Sequence, residues 1–193
     1  MKYKLASSSW GNEEIGAIKD VIDTGVFTMG RKVKKFEKDF SDYFGSKYCV
    51  MVNSGSSANL IGIASLFFKN NNKLNRGDEI IVPSVGWSTS YHPLQQYGLK
   101  LKFVDIDIDT LNYDLNHLSE ALSSKTKAIM AVNLLGNSND FNEIKKIIRN
   151  RKIYLIEDNC ESMGSVFKNK YAGTYGIIGT FSGFFSHHIS TME

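Results

Sequence analysis

Short apolar segments alternate with segments of helical spacing along most of the chain, and this alternation constrains the fold more than any other feature. Apolar segments without polar alternation are typical of strands buried on both faces of a sheet. Strands separated by helices form mostly parallel sheets. The sequence therefore predicts an α/β fold, a three-layer sandwich with a mostly parallel sheet. The predicted strands are residues 79–83, 101–106, 128–132 and 153–156, and the predicted helices around them are residues 58–68, 88–97, 115–122 and 141–149.

The two ends of the chain add further elements to this pattern. Two helices are predicted at residues 12–23 and 31–43, where apolar residues again recur at helical spacing. A short strand is predicted at residues 47–52, before the first helix of the alternating pattern. One or two further strands are predicted within residues 177–185.

Charge and hydropathy exclude several classes of protein. The net charge is +3, from 23 basic and 20 acidic residues, and no basic run is longer than two residues. We therefore predict neither a nucleic-acid surface nor a polybasic membrane surface. The apolar stretches are too short to span a membrane, and no apolar signal segment follows the N-terminus. Cys49 and Cys160 lack metal-binding spacing and lie in or beside apolar runs, so we expect two reduced, buried thiols, no metal and a cytoplasmic location.

The last residues of the chain, 181–193, have no helix cap and no polar tail. A complete domain more often ends in a solvent-exposed helix or strand. We therefore interpret residues 1–193 as the N-terminal part of a larger enzyme domain. A sheet edge and an apolar sheet face would then stay uncovered. For this reason we expect the 193-residue chain alone to be inactive and either poorly soluble or self-associating.

Ligands of parallel α/β sheets bind beyond the carboxyl ends of the strands, so residues at those ends are the candidates for function. The first candidate is the turn at residues 53–59, whose backbone N–H groups and hydroxyls suit a phosphate at a helix N-terminus. Simple N-capping of the helix by Ser54 or Ser56 is the alternative. The second candidate is Trp87, which could cover a planar ring or pack in the core.

Two further strand ends carry ionisable residues. Asp158 follows a fully apolar strand, and a buried carboxylate needs a partner. A protonated pyridine nitrogen, a helix cap or a salt bridge would each satisfy it. His187 and His188 follow an apolar run, but adjacent histidines point in different directions and chelate poorly. One of them could act as a general base, or each could be an ordinary polar residue with satisfied hydrogen bonds.

These four features occur in the same order in the nucleotide-sugar aminotransferases, the DegT/DnrJ/EryC1/StrS family of fold I pyridoxal-phosphate enzymes. The chain resembles that family from residue 30 to residue 193. The resemblance implies a cofactor whose phosphate, ring and ring nitrogen are each held by side chains at the strand ends. In this sequence the matching positions are Ser56, Ser57 and Ser182 for the phosphate, Trp87 stacked on the ring and Asp158 at the pyridine nitrogen. Glu161 occupies the place of a family glutamine that contacts the ring hydroxyl.

The chain departs from that family at the residue that binds the cofactor covalently. The aminotransferases have a lysine there, and no lysine follows Lys170 in this sequence. Alignment on Ser182 and Glu193 without a gap places His187 at the lysine position, whereas alignment on Phe184 would place His188 there. A histidine cannot form the covalent link but can move protons, so the resemblance implies that His187 is the general base.

Replacement of this lysine by histidine is typical of one branch of the family, the 3-dehydratases of nucleotide-linked 4-keto-6-deoxy sugars. Segments 51–55, 133–137 and 157–164 most resemble the members that act on a GDP-linked sugar, GDP-4-keto-6-deoxy-D-mannose. A sister branch acts on a CDP-linked sugar and uses an iron–sulfur cluster. The resemblance implies pyridoxal or pyridoxamine phosphate as cofactor, a nucleotide sugar and glutamate as substrates, and a homodimer. A sugar aminotransferase and an inactive fragment remain the alternatives.

Overall fold

A parallel sheet of five strands lies at the centre of the larger part of the chain. A computed structural model describes residues 7–189 and residue 191. The chain divides into two units, Met1–Met51 and Val52–Glu193. The first unit contains α1 (Asn12–Asp23) and α2 (Arg31–Phe44). The second contains α3 (Gly55–Phe67), β1 (Glu79–Pro83), α4 (Ser88–Gln96), β2 (Lys100–Val104), α5 (Leu115–Ala121), β3 (Thr126–Val132), α6 (Phe141–Ile147), β4 (Tyr154–Asp158), β5 (Val166–Phe167), β6 (Lys170–Tyr171) and β7 (Ile178–Thr180).

In the first unit, aromatic side chains at helical spacing line one side of α2. The ring centroids of Phe36 and Phe40 lie 5.4 Å apart, and those of Phe40 and Phe44 lie 4.5 Å apart. The helix ends at Gly45, which adopts the left-handed backbone conformation common at helix ends (φ 67°). Both helices predicted in this unit are confirmed, and α2 extends one residue beyond its predicted end.

The strand predicted at residues 47–52 is wrong, because this segment forms no strand. A strand requires backbone hydrogen bonds to a neighbouring strand. The backbone N–H of Met51 instead donates to the Glu37 carboxylate at 2.9 Å. Tyr48 and Val50 are 76% and 68% exposed, so the apolar composition of this segment does not correspond to burial.

The five strands of the central sheet are all parallel to their neighbours, in the order β2–β1–β3–β4–β7. The chain leaves β1 in one direction to form β2 and then crosses to the other side of β1 to form β3. In parallel sheets, such a reversal of strand order marks the edge where ligands bind. Asp158 pairs with Val132 on one side and with Thr180 on the other, so the ends of three strands lie in register at that edge.

Apolar side chains cover both faces of this sheet, which confirms the three-layer arrangement. On one face Ile63 and Leu66 of α3 and Leu94 of α4 pack against the sheet. On the other face Leu118 of α5 and Ile144 of α6 do the same. Successive strand residues alternate between the faces. Ile80, Val82, Ala128, Met130 and Ile156 belong to the first face, and Ile81, Ile129, Ala131 and Leu155 belong to the second.

Two parts of the second unit differ in detail from the predicted pattern. A small antiparallel hairpin, β5–β6, was not predicted, and it turns at Lys168 and Asn169 with positive φ angles of 45° and 65°. Within residues 177–185 only β7 forms a strand, so one strand is present where one or two were predicted. Within the described part of the chain, no helix combines the length and the apolar character that a membrane crossing requires.

Candidate functional site

Asp158 lies at the carboxyl end of β4 and is the most highly connected of the predicted site residues. It is 4% exposed. Its Oδ2 accepts hydrogen bonds from the amide of Asn59 at 2.9 Å and the hydroxyl of Ser90 at 2.7 Å. Its Oδ1 accepts one from the backbone N–H of Cys160 at 3.1 Å. These partners are neutral, so Asp158 is a buried carboxylate held by dipoles rather than by a positive charge.

The turn before α3 lies against the segment that follows β7. Ser54 caps the helix, because its hydroxyl accepts a hydrogen bond from the backbone N–H of Ser57 at 3.1 Å. A Cβ atom placed on Gly55 would lie 2.7 Å from the Cβ of Ser182 and 2.9 Å from the Sγ of Cys160. Only glycine therefore permits this approach. The first turn of α3 and Ser182, which are both predicted phosphate ligands, are brought together here.

The predicted phosphate residues differ in their exposure. Ser56 is exposed, Ser57 is half-buried, and Ser182 is 8% exposed. The Ser182 hydroxyl accepts a hydrogen bond from the backbone N–H of Phe184 at 3.2 Å. Hydroxyls at the N-terminus of α3, together with the partial positive charge of that helix end, form a suitable surface for an anionic group. Capping by Ser54 and phosphate binding by its neighbours are thus compatible rather than exclusive.

Trp87 is the residue directly before α4 and is 68% exposed. The alternative that it packs in the core is therefore wrong. The backbone N–H of Ser90 donates to the carbonyl of Trp87 at 2.9 Å, while the Ser90 hydroxyl donates to Asp158. The first turn of α4 thus connects the exposed indole to the buried carboxylate. A flat aromatic face in this position can cover a planar ring.

Glu161 lies in the turn after β4, next to the short 3₁₀ helix Leu134–Gly136 that follows β3. Its Oε2 accepts a hydrogen bond from the backbone N–H of Leu135 at 3.3 Å, and Leu135 has a positive φ of 50°. Ser162 supports the same contact, since its hydroxyl accepts from the backbone N–H of Gly136 at 3.0 Å. Glu161 is therefore part of an ordered contact between two strand ends.

The two histidines follow β7 and differ in their surroundings. His187 is half-buried, its ring centroid lies 5.6 Å from that of Phe184, and its backbone N–H donates to the Phe184 carbonyl at 2.8 Å. His188 is exposed. Of these two, His187 is the one whose ring packs near Phe184, two residues after Ser182. No cluster of metal-ligating side chains occurs in residues 7–189 and 191.

The charge of Asp158 affects two neighbouring groups. Burial, and after it the Asp158 carboxylate, together raise the pKa of Tyr91 to about 12. The Tyr91 hydroxyl donates to the carbonyl of Pro83 at 2.9 Å, at the end of β1. Burial raises the pKa of the Cys160 thiol well above its ordinary value, and Asp158 again adds to the shift. Both groups are therefore neutral donors around a negative centre, and Cys160 is not a thiolate nucleophile.

Sequence reasoning missed Asn59 and Ser90, which hold Asp158, and Thr180, which donates to the Asn59 carbonyl oxygen at 2.7 Å. Asn59 did carry a signal, because it is an amide side chain beside the apolar run of α3, and the structure shows it 1% exposed. Ser90 carried none, since a serine in the first turn of a helix is ordinary.

The arrangement fits a phosphorylated pyridine. A buried carboxylate would face a ring nitrogen, and the exposed Trp87 lies one helical turn before Ser90, which donates to that carboxylate. A glycine-dependent close approach places Ser182 beside a helix N-terminus. The hydrogen bonds to Asp158 come from neutral donors, and a protonated nitrogen would supply a positive partner for its carboxylate.

Known proteins resemble this chain along its whole length. The chain is 61% identical over all 193 residues to a GDP-4-keto-6-deoxy-D-mannose 3-dehydratase of Yersinia pseudotuberculosis, and covers 49% of that protein. It is 62% identical over 193 residues to the enzyme of the same name from Escherichia coli O55:H7, and covers 50% of it. The chain thus spans about half the length of the curated relatives it matches.

Solved structures show the same fold. A crystal structure of GDP-4-keto-6-deoxymannose-3-dehydratase, with a trapped adduct of pyridoxal phosphate and glutamate, superimposes with a TM-score of 0.97 at 61% identity. The superposition covers 100% of this chain and 50% of the dehydratase chain. An aminotransferase from Psychrobacter cryohalolentis matches with a TM-score of 0.88 at 25% identity, over 96% of this chain and 46% of its own. The sequence pattern of one family covers residues 8–193, and the chain belongs to that family, the DegT/DnrJ/EryC1/StrS aminotransferase family.

Proposed function

We propose that this chain is part of a pyridoxamine-phosphate-dependent 3-dehydratase, which removes the C3 hydroxyl of a nucleotide-linked 4-keto-6-deoxy sugar. The substrate in this proposal is GDP-4-keto-6-deoxy-D-mannose. The observation that carries the proposal is His187, which stands at the position of the covalent lysine in a chain that is 61% and 62% identical to two such dehydratases.

Structures of the related dehydratase support the assignment of His187 rather than His188. They include variants in which a histidine is replaced by asparagine or lysine, and in one of them the serine directly before that histidine is also replaced. A serine followed directly by a histidine occurs once in this sequence, at Ser186 and His187. The half-buried His187 is accordingly the general base of the proposal.

Pyridoxamine phosphate, when bound, supplies an amine and an electron-accepting ring. The side chains of this chain hold and serve that group. Ser56, Ser57 and Ser182 bind the phosphate, Trp87 covers the ring, and Glu161 contacts the ring hydroxyl. Asp158 keeps the ring nitrogen protonated, because its buried charge is stabilised by a positive partner.

His187 moves protons in this proposal. In its neutral form it takes a proton from carbon, and in its protonated form it returns a proton to the departing C3 hydroxyl. A lysine at the same place would bind the cofactor covalently and favour amination of the sugar. A histidine has no such bond to form, so the replacement favours loss of the hydroxyl over amine transfer.

The remaining expectations concern the protein that contains this chain. We propose that each subunit of the protein is about twice as long as this chain, because the curated relatives are about that long. In this proposal residues 1–193 form the N-terminal part of the large domain, and two subunits form a homodimer. Glutamate is the proposed amine donor, as the adduct in the related structure suggests. Cys49 and Cys160 are half-buried, not buried as the sequence predicted. Both are free thiols, which supports a cytoplasmic location.

The His187→Asn variant tests the proposal in the protein expressed from its complete gene. We expect a loss of deoxygenation of about 100-fold or more, since a general base and acid contributes 10² to 10⁴ in rate. Cofactor binding should persist. Ammonia release and mass analysis of the sugar, with pyridoxamine phosphate and glutamate supplied, measure the reaction.

The matched control is His188→Asn, which removes an exposed histidine next to the proposed base. It should reduce turnover far less than His187→Asn. An inactive His188→Asn protein beside an active His187→Asn protein would move the base to His188. A 4-amino sugar as the wild-type product would identify an aminotransferase instead, and preference for a CDP-linked sugar would change the substrate assignment.

A further inference from the structure

The two oxygens of the Asp158 carboxylate have different partners. Oδ2 accepts from two side-chain donors, Asn59 at 2.9 Å and Ser90 at 2.7 Å. Oδ1 accepts from the backbone N–H of Cys160 at 3.1 Å. The two side chains come from different helices, α3 and α4. They therefore fix both the position and the rotation of the carboxylate from one side.

These donors lie in a region without solvent. Asn59 and Ser90 are each 1% exposed, and Asp158 is 4% exposed. A carboxylate loses stability as an anion when it is buried, and hydrogen bonds to the charged form restore that stability. Hydrogen bonds to charged groups are also the stronger ones in proteins. Asn59 and Ser90 thus do more for Asp158 here than the same contacts would do at a surface.

The orientation of the Asn59 amide is determined by a third residue. The Thr180 hydroxyl donates to the Asn59 carbonyl oxygen at 2.7 Å, which turns the Asn59 NH₂ group toward Asp158. The same NH₂ group also donates to the carbonyl of Thr89 at 3.3 Å. The chain of donors therefore runs in one direction, from Thr180 through Asn59 to the carboxylate.

We propose that Asn59 and Ser90 are positioning residues for the cofactor, and that they act by keeping Asp158 ionised and fixed in orientation for the pyridine nitrogen. This inference rests on the proposed function. Without these donors, the buried pair of Asp158 and the ring nitrogen would favour its neutral form, in which the proton moves from the nitrogen to Asp158. The ring would then be a poorer electron acceptor.

The test compares Ser90→Ala and Asn59→Leu with wild type in the protein expressed from its complete gene. Titration with pyridoxamine phosphate should show about tenfold weaker binding or more for each variant, which corresponds to about 1.4 kcal/mol or more. The NMR chemical shift of the ring nitrogen in isotope-labelled pyridoxamine phosphate should move toward the unprotonated value. A purely structural role would not change that shift.

Thr126→Val is the matched control. Thr126 is 3% exposed, and its hydroxyl also donates to a carboxylate, that of Glu79 at 2.6 Å, at the amino end of the strands. This variant should leave both the affinity for pyridoxamine phosphate and the ring-nitrogen shift as in wild type. A change in either quantity as large as that in Ser90→Ala would overturn the inference, because loss of any buried hydroxyl would then suffice.

Combination with Asp158→Asn separates action through Asp158 from a direct effect. If Ser90 acts through Asp158, Ser90→Ala should have little further effect on binding in the Asp158→Asn protein. Additive losses would overturn the inference, and so would variants that bind like wild type with an unchanged ring-nitrogen shift. Failure of the wild-type protein to bind pyridoxamine phosphate at all would instead contradict the proposed function.

Discussion

Glu157 and Asp158 are adjacent on β4 but point to opposite faces of the sheet, and the two faces treat their carboxylates differently. The Glu157 carboxylate is 0% exposed and accepts from the backbone N–H groups of Gly173 and Gly176, each at 2.5 Å. The Asp158 carboxylate accepts mainly from the side chains of Asn59 and Ser90. One acid is held by a loop backbone and the other by helix side chains.

This difference separates a structural role from a functional one. Backbone donors tie the segment after β6 to the sheet, so Glu157 holds that loop in place. Side-chain donors can be replaced one at a time without changing the path of the backbone, so the Asp158 environment can be tuned by single substitutions. The side of the sheet that carries α3 and α4 is accordingly the one where we place the cofactor.

Asp158→Asn should have a larger effect on activity than the other substitutions on either face of the sheet. It removes the charge that pairs with the ring nitrogen, and loss of one partner of a buried ion pair costs about 3–5 kcal/mol. We expect a loss of deoxygenation of about 100-fold or more, with a small change in melting temperature of the cofactor-free protein. Steady-state kinetics and calorimetry measure the two effects. Wild-type turnover in this variant would remove Asp158 from the site.

A pair of glycine substitutions compares the two faces directly. In Gly55→Ala the new Cβ would lie 2.7 Å from the Cβ of Ser182, and in Gly176→Ala it would lie 2.4 Å from the carbonyl oxygen of Leu155. Overpacking costs about 1–3 kcal/mol or more, so both variants should be destabilised in thermal unfolding. Only Gly55→Ala should also bind pyridoxamine phosphate more weakly. Equal affinities in the two variants would contradict a phosphate site at Gly55.

Glu157→Gln should affect stability and its pH dependence rather than cofactor affinity. Burial raises the pKa of Glu157, and the backbone hydrogen bonds from Gly176 and Gly173 oppose the shift. A folded-state pKa above the unfolded value adds stability that is fully present below the unfolded pKa and is lost as pH rises through the folded pKa. The stability advantage of wild type over Glu157→Gln should therefore grow on acidification. Denaturant unfolding at a series of pH values checks this, and a pH-independent difference would contradict it.

A smaller effect is expected on the pKa values of two tyrosines, one on each face of the sheet. Burial is the main cause that raises the pKa of Tyr91, to about 12, and of Tyr175, and the second cause is Asp158 for Tyr91 and Glu157 for Tyr175. Asp158→Asn should lower the pKa of Tyr91 alone, and Glu157→Gln that of Tyr175 alone. Ultraviolet titration with Tyr→Phe variants for assignment measures both. A shift of both tyrosines in one variant would show that the faces are not electrostatically separate.

The sequence predicted the fold class because apolar content alone identifies strands that are buried on both faces. Strand β1 begins and ends at the residues expected. The same criterion failed at residues 47–52, because apolar composition does not supply a neighbouring strand for the backbone hydrogen bonds. The β5–β6 hairpin was missed because it is two residues long in each strand and half-exposed or exposed throughout.

The candidate site was predictable only in part. Asp158 was found because a carboxylate at the exit of an apolar strand requires a partner. The sequence did not decide whether that partner is a pyridine nitrogen, a helix cap or a salt bridge. Asn59 and Ser90 lie 99 and 68 positions away in sequence, so no local pattern links them to Asp158. The contact of Gly55 with Ser182 was likewise invisible, because it depends on how α3 lies against the segment after β7.

The hydrogen bond between Thr180 and Asn59 joins residues 121 positions apart. Contacts of such high sequence separation form late, because the chain between them must first be ordered at a cost in loop entropy. The donors around Asp158 are therefore complete only after α3, α4, β4 and β7 have assembled. Cofactor binding should accordingly report on the last steps of folding, and a protein trapped at an earlier stage should contain its helices and still fail to bind pyridoxamine phosphate.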